Sequence, residues 1–223
     1  MVSHAVEDYL KAIYELAEDT DKVSTSALTE KLGVKAPSVT GMLQKLAEAE
    51  LVHYERHQGV TLTRKGRRVA LEVIRHHRLI ELYLSRALGY DWDQVDVEAE
   101  KLEHVISEEF EDRIAAFLGE PTHDPHGDPI PTKDGAMADY SRTPLTDVAA
   151  GATTRVARVS DDDPALLRYL GELGMVPGAL VTVTSRAPFS GPMHVRVGGV
   201  DEASHALGRE VTDQVFVEHH SPD

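Results

Sequence analysis

The sequence predicts a mainly α chain with a C-terminal β domain, on three observations. Apolar residues recur at helical spacing through most of the first 118 positions, broken by one short alternating stretch at residues 51–63. A Pro- and Gly-dense stretch, GEPTHDPHGDPIPTKDG, follows. From about Pro144 the texture changes to short β-rich runs.

Residues 4 to 18 read as an amphipathic helix through Val6, Tyr9, Leu10, Ile13 and Tyr14. A short helix over Thr25 to Leu32 has Ser24 or Thr25 to cap it, and Gly33 supplies a turn. The next helix starts near Ala36 and Pro37 and runs to about Ala49; proline is tolerated there because a first-turn N–H has no helical partner. Two helices joined by so short a turn make a helix-turn-helix. LVHYERHQGVTLT then alternates about Gln58-Gly59 as a β-hairpin, and Thr63 caps a long helix that stops at Gly89. This order is that of a winged helix-turn-helix, whose second motif helix enters the DNA major groove. Residues 93 to 118 read as one further helix with an apolar stripe of Val95, Leu102, Val105 or Ile106, Phe110, Ile114 and Phe117. The C-terminal runs TRVARVS, ALVTVTSR, MHVRVGGV and EVTDQVFVEH, with a short helix at Pro164 to Leu173, predict a compact β-barrel. The expected domains are 1–73 (winged helix-turn-helix), 74–142 (helical metal-binding and dimerisation domain with the Pro/Gly-rich linker) and 143–220 (small barrel).

Composition narrows the chemistry. The chain has 223 residues and no cysteine, which removes disulfides, thiolate metal sites and thiol catalysis and fits a cytoplasmic protein. No run of eighteen apolar residues exists, so no membrane helix is expected. The net charge of -15 hides an asymmetry: residues 51–78 hold seven Lys or Arg and two acids, whereas residues 91–112 hold ten acids and one Lys. Such a pair of segments suits a protein that holds a polyanion at one place and a cation at another.

The cation side rests on DVEAEKLEH, where Asp96, Glu100 and His104 stand four residues apart with Glu103 beside them. On one helix these groups share a face. His77 and Glu81 repeat the four-residue spacing on the long helix, and two such helices side by side could close a site for one or two divalent metals. Each cluster also has a plainer reading: a solvated acidic face, a His–Glu surface pair, or Asp96 as a helix cap. His123, Asp124, His126 and Asp128 look like ligands by type, but between prolines they read better as turn-forming side chains. Arg56, Arg64 and Lys65 would serve DNA phosphates.

The order of motifs resembles the diphtheria-toxin-repressor family of metal-dependent regulators, and its manganese-transport-regulator branch in particular. The resemblance rests on VEDYLKAIYEL, on APSVTGMLQKLAEAELV followed by VTLTRKG, on HHRLIELYL, EAEKLEHVISEE and PHGDPIP, and on a C-terminal region similar to an SH3-like or FeoA-like domain. It implies a homodimer that binds double-stranded operator DNA under control of Mn²⁺, or alternatively Fe²⁺. Asp8 falls where the family's first helix supplies a ligand, Glu100, Glu103 and His104 where its regulatory site lies, and His77, Glu81 and Asp96 at an ancillary or bridging position. Oxygen donors at Asp8 and Glu100, where iron-responsive members carry sulfur, favour Mn²⁺. The chain departs from the manganese branch at Lys11, where that branch often has a carboxylate. A C-terminal ligand would come from Asp161, Asp162 or Asp163. Lys35, Pro37, Ser38 and Thr40 stand at DNA-contacting positions, Gln44 could reach further along the groove, and Gly41 replaces a Gln of related repressors. Two other functions use the same residues: a helical dinuclear carboxylate metalloenzyme, opposed by the single Glu-Glu-His run, and a DNA-binding regulator with an organic effector.

Overall fold

The computed structural model describes residues 3–18, 20–198 and 203–219. Its contacts divide the chain into two compact units: Met1–His77 with Lys101–Glu111 and Pro131–Met137, and Arg78–Glu100 with Asp112–Ile130 and Ala138–Asp223.

The first unit is built on α1 (His4–Leu16), α2 (Thr25–Leu32), α3 (Ala36–Glu48), the hairpin β1 (Val52–Glu55) and β2 (Gly59–Leu62), and the start of α4 (Arg64–Leu88). Ser24 caps α2 by accepting the Ala27 N–H at 3.1 Å, and Gly33 ends it in the left-handed region that glycine adopts without strain. Leu10, Ile13, Leu28, Leu43 and Leu46 are fully buried together, so one core fixes α1, α2 and α3 against each other. Val52 pairs with Leu62 and Glu55 with Gly59 across the hairpin, and Thr63 caps α4 by accepting the Gly66 N–H at 3.1 Å. Gly66 is required by close approach: a Cβ there would lie 2.0 Å from the Leu51 carbonyl oxygen.

The second unit holds the rest of α4, whose Leu79 and Leu82 pack with Ile114, Ala115 and Ile130. Its C-terminal part is a five-stranded antiparallel sheet in the order β6-β5-β4-β3-β7, from β3 (Thr153–Val159), β4 (Leu180–Arg186), β5 (Met193–Val197), β6 (Ala203–Leu207) and β7 (Val215–His219). Before β4 runs α7 (Pro164–Glu172), capped by Asp163. The alternating residues Val181, Val183, Val195 and Val197 turn inward with Leu167 and Leu170. In place of one run EVTDQVFVEH there is a turn of helix, α8 (Arg209–Thr212), and then β7, while β6 was not anticipated.

The largest departure lies at residues 93–118. They form two helices, α5 (Val95–Leu102) and α6 (Glu108–Phe117), so Glu103 and His104 sit on a turn and not on the helix that carries Asp96 and Glu100. The chain breaks because Ser107 starts a new helix, its hydroxyl accepting the Phe110 N–H at 3.3 Å, after the β-branched pair Val105-Ile106. The expected apolar stripe divides accordingly: Val95 and Ile114 are buried, whereas Val105, Phe110 and Phe117 are exposed.

Candidate metal centres and nucleic-acid interface

In the first unit the turn after α5 meets α1. Glu103 is 1% exposed, and its Oε2 accepts from Lys11 Nζ at 2.8 Å and lies 2.5 Å from His77 Nδ1. Burial pushes the Glu103 carboxyl up, but the His77 hydrogen bond and the positive charge of Lys11 outweigh it, and the group ends below its ordinary value. Glu103 Oε1 has no hydrogen-bond partner and lies 3.3 Å from His104 Nε2. That same nitrogen is 2.7 Å from Asp8 Oδ1, while Nδ1 is 2.7 Å from Glu7 Oε2.

Nδ1 thus faces Glu7 while Nε2 faces two carboxylate oxygens, an arrangement that positive charge at that point favours. One ligand atom each of Asp8, Glu103 and His104 lies within 4.8 Å of the others, a group that could hold a cation, and Glu7 stands behind the imidazole as outer carboxylates do for metal-bound histidines. Glu7 was missed in the sequence because its neighbour Asp8 carried the motif. Lys11, by contrast, places an ammonium among His77 and Glu103, where the spacing alone had suggested a ligand to metal.

In the second unit the Pro/Gly-rich segment forms a cluster with α4. Asp124, His126 and Asp128 are buried, as is Glu81, and ligand atoms of Glu81, Asp124 and His126 lie within 4.8 Å of one another. Asp124 does form the expected turn, its Oδ1 accepting the N–H groups of His126 at 2.8 Å and Asp128 at 3.0 Å. Its Oδ2 is left to face the cluster, 3.6 Å from Arg78 Nε. His126 Nε2–H donates to the Trp92 carbonyl at 2.7 Å, which leaves Nδ1 turned toward Glu81 Oε1 at 3.7 Å. Arg158 closes the loop by donating to both oxygens of Asp128 at 3.0 and 3.2 Å. Gly127 makes the close approach possible: its φ is +93°, and a Cβ would lie 2.2 Å from the Ala157 carbonyl oxygen.

Charge is in excess here. Burial, then Glu81 and Asp128, push the Asp124 carboxyl well up, against the pull of Arg78 and His126. Asp161 is pushed up to about 6 by burial and by Glu81 and Asp128. Burial lowers the His126 imidazole, but Glu81, Asp124 and Asp161 outweigh it and leave it raised. Reading His126 and Asp124 as turn formers alone was therefore incomplete. The available signal was the sequence PHGDPIP itself, in which a glycine that cannot carry a side chain holds a His and an Asp against the sheet.

The other candidates are placed as follows. Asp96 lies in the first turn of α5 with an oxygen within 4.8 Å of one from Glu81, and Glu100 is exposed on the last turn of α5. Lys35, Pro37, Ser38 and Gln44 are exposed on α3 or at its start, and Thr40 is half-buried. A side chain at Gly41 would meet open space, so the glycine leaves room for another molecule beside α3. Arg56 is exposed at the hairpin turn, and Arg64 and Lys65 are exposed on the first turn of α4, Lys65 donating to the Ala49 carbonyl at 3.2 Å. Among the described residues no helix is long and apolar enough to cross a membrane.

Comparison with known proteins agrees with this layout. Residues 1–60 match the iron dependent repressor N-terminal DNA binding domain, residues 63–132 the iron dependent repressor metal binding and dimerisation domain, and residues 143–219 the FeoA domain. The chain is 32% identical over 218 residues to the iron-dependent repressor IdeR of Mycobacterium leprae (strain TN), covering 90% of this chain and 94% of that one. It is 34% identical over 202 residues to the diphtheria toxin repressor of Corynebacterium jeikeium (strain K411), covering 80% and 84%. Among solved structures, a manganese-dependent transcriptional repressor in complex with manganese superposes with a TM-score of 0.89 at 42% identity, over 96% of this chain and 100% of that one. ScaR with bound Cd²⁺ gives a TM-score of 0.81 at 32% identity, over 96% and 99%. The chain belongs to the iron-dependent repressor family, whose members are transcriptional repressors and not enzymes.

Proposed function

We propose that this metal-dependent repressor senses Mn²⁺ and binds operator DNA as a homodimer, with one regulatory ion in the first unit and a second ion in the second. The observation that carries the reading is the convergence of His104 Nε2, Asp8 Oδ1 and the unpartnered Glu103 Oε1. Asp8, Glu103 and His104 make up the regulatory set, and Glu81, Asp124, His126 and Asp161 make up the second, with Asp96 at its side. His77 is assigned to hold Glu103 and Lys11 in place, a supporting part in the regulatory site.

All these donors are carboxylate oxygens and imidazole nitrogens, which suit Mn²⁺; the manganese-bound neighbour supports the same ion, and the iron-dependent relatives make Fe²⁺ the alternative. A divalent cation, when bound, supplies the positive charge that the converging oxygens lack. Lys11 already provides one such charge beside His77 and Glu103, which favours a single ion in the first unit over a dinuclear centre.

DNA reading follows from the same helix. Asp8 stands on α1 next to Tyr9 and Leu10, and Leu10 and Ile13 are packed into the core that also holds α2 and α3. Whatever fixes Asp8 against the Glu103-His104 turn therefore restrains the helix that presents Lys35, Pro37, Ser38, Thr40 and Gln44. Arg56, Arg64 and Lys65 add phosphate contacts whose contribution falls with salt. In the second unit, exposed Val97 and Phe117 offer apolar surface for a second copy, as paired half-sites require.

The test is binding of the chelator-stripped chain to a pool of its host's genomic fragments, with no metal, with Mn²⁺, and with Fe²⁺ under anoxia. Enrichment of one palindromic site only with Mn²⁺ is expected. Enrichment only with Fe²⁺ would reassign the ion, and equal binding in every condition would overturn metal control.

A further inference from the structure

We propose that the first unit carries an additional divalent-cation site formed by Glu72, His76 and Glu108, backed by Glu111. Glu72 and His76 stand one turn apart on α4, Glu108 opens α6, and one ligand atom from each lies within 4.8 Å of the others. Acidic side chains alone would not make a site. His76 is the independent observation: it is 8% exposed, and its ring is oriented from behind, with Nδ1–H donating to the Glu103 carbonyl at 3.0 Å. That bond turns Nε2 toward the carboxylates. Nε2 is buried without a hydrogen-bond partner, 3.3 Å from Glu111 Oε2.

A buried imidazole nitrogen and a carboxylate oxygen at that distance need a positive charge between them, which a bound cation or a proton supplies. An imidazole whose other N–H is held by a backbone carbonyl is the usual setting of a metal-bound histidine. The donor set, one imidazole and two or three carboxylates, takes a divalent transition ion and offers nothing to sulfur-seeking ones.

The surroundings leave room for it. A cavity of about 120 Å³ is lined by Glu72, Glu108 and Glu111, with His76 outside its lining, so an ion that keeps some of its water would enter from the carboxylate side. Three cations line the same cavity, Arg68, Arg75 and Lys133. Arg75 is committed to Glu111 Oε1 and to the Pro131 carbonyl at 2.8 Å. Lys133 pairs with Glu108 at 3.3 Å with both side chains largely exposed, a contact that an ion displaces at small cost. Since His76 also holds the Glu103 carbonyl, an ion here would steady the turn that bears Glu103 and His104.

The experiment counts Mn²⁺ bound by the full-length, chelator-stripped chain in equilibrium dialysis, for wild type, Glu72→Gln/Glu108→Gln, Glu103→Gln and Asp124→Asn. Glu72 and Glu108 are exposed and belong to neither site assigned above, so the double variant should melt at the wild-type temperature without metal. It is expected to bind one Mn²⁺ fewer per chain while the remaining steps keep their affinity. An isotherm that superposes on wild type would overturn the site. If the double variant loses an ion while Glu103→Gln and Asp124→Asn lose none, the additional site stands and the two sites assigned earlier fall.

Discussion

Both units gather more carboxylates than their local cations balance, and they hold that excess in opposite ways. In the first, the Lys11 ammonium stands against Glu103 and His77, and the Glu103 carboxyl ends below its ordinary value. In the second, Arg78 and Arg158 do not suffice, and burial with the neighbouring carboxylates pushes Asp124 and Asp161 up. A built-in ammonium leaves a site ready for an ion over a wide pH range, whereas a buried acidic cluster must release protons to accept one.

The largest effect expected from breaking this contrast is at Gly127. Its positive φ and its approach to the Ala157 carbonyl leave no place for a methyl group, so Gly127→Ala should cost at least about 1–3 kcal/mol. Thermal melts should show the loss, and Mn²⁺ should restore less of it than in wild type because the loop bearing Asp124 and His126 is displaced.

Lys11→Met sharpens the comparison from the other side. It leaves buried Glu103 Oε2 without its ammonium, which should destabilise the metal-free chain by about 1–3 kcal/mol. Saturating Mn²⁺ should recover most of that, as read by melting with and without the ion. An unchanged melting temperature would show that Lys11 contributes no compensating charge.

The pH dependence is smaller and has a definite sign. Asp161, ordinarily near 3.8, is raised to about 6, so the folded chain holds this proton more tightly than the unfolded one. The stability this contributes is present below about pH 4 and is lost as the pH rises through about 6. Asp124 acts in the same direction. Between these limits the metal-free chain should lose a few degrees of melting temperature from this source, and Asp161→Asn should flatten that slope. For the same reason Mn²⁺ binding at the second unit should release protons, measurable by calorimetry in buffers of different ionisation enthalpy.

Much of this is legible in the sequence alone. The helix order, the Ser24 and Thr63 caps, the Gly33 and Gly89 stops and the hairpin all follow from local chemistry that acts within a few residues. The grouping of Asp8, Glu103 and His104 follows from the family resemblance, but the single helix expected over residues 93–118 is two, since Ser107 starts a second helix and leaves Glu103 and His104 on a turn. What local pattern could not show was the burial of Asp124, His126 and Asp128. A Pro- and Gly-rich segment reads as solvated, and only its packing against β3 through Gly127 and Arg158 takes its acids out of water. Lys11 is a similar case: its charge looks superfluous until Glu103 is seen facing it.

If Asp8, Glu103 and His104 control DNA reading, operator affinity with and without Mn²⁺ should separate wild type from Glu103→Gln. The substitution keeps the size of the side chain and an acceptor for Lys11 while removing the carboxylate charge. Metal and DNA must strengthen each other by one shared factor, so Mn²⁺ should tighten wild-type binding by about 5- to 150-fold and leave Glu103→Gln unchanged. Full activation of Glu103→Gln by Mn²⁺, with an intact fold, would contradict the account.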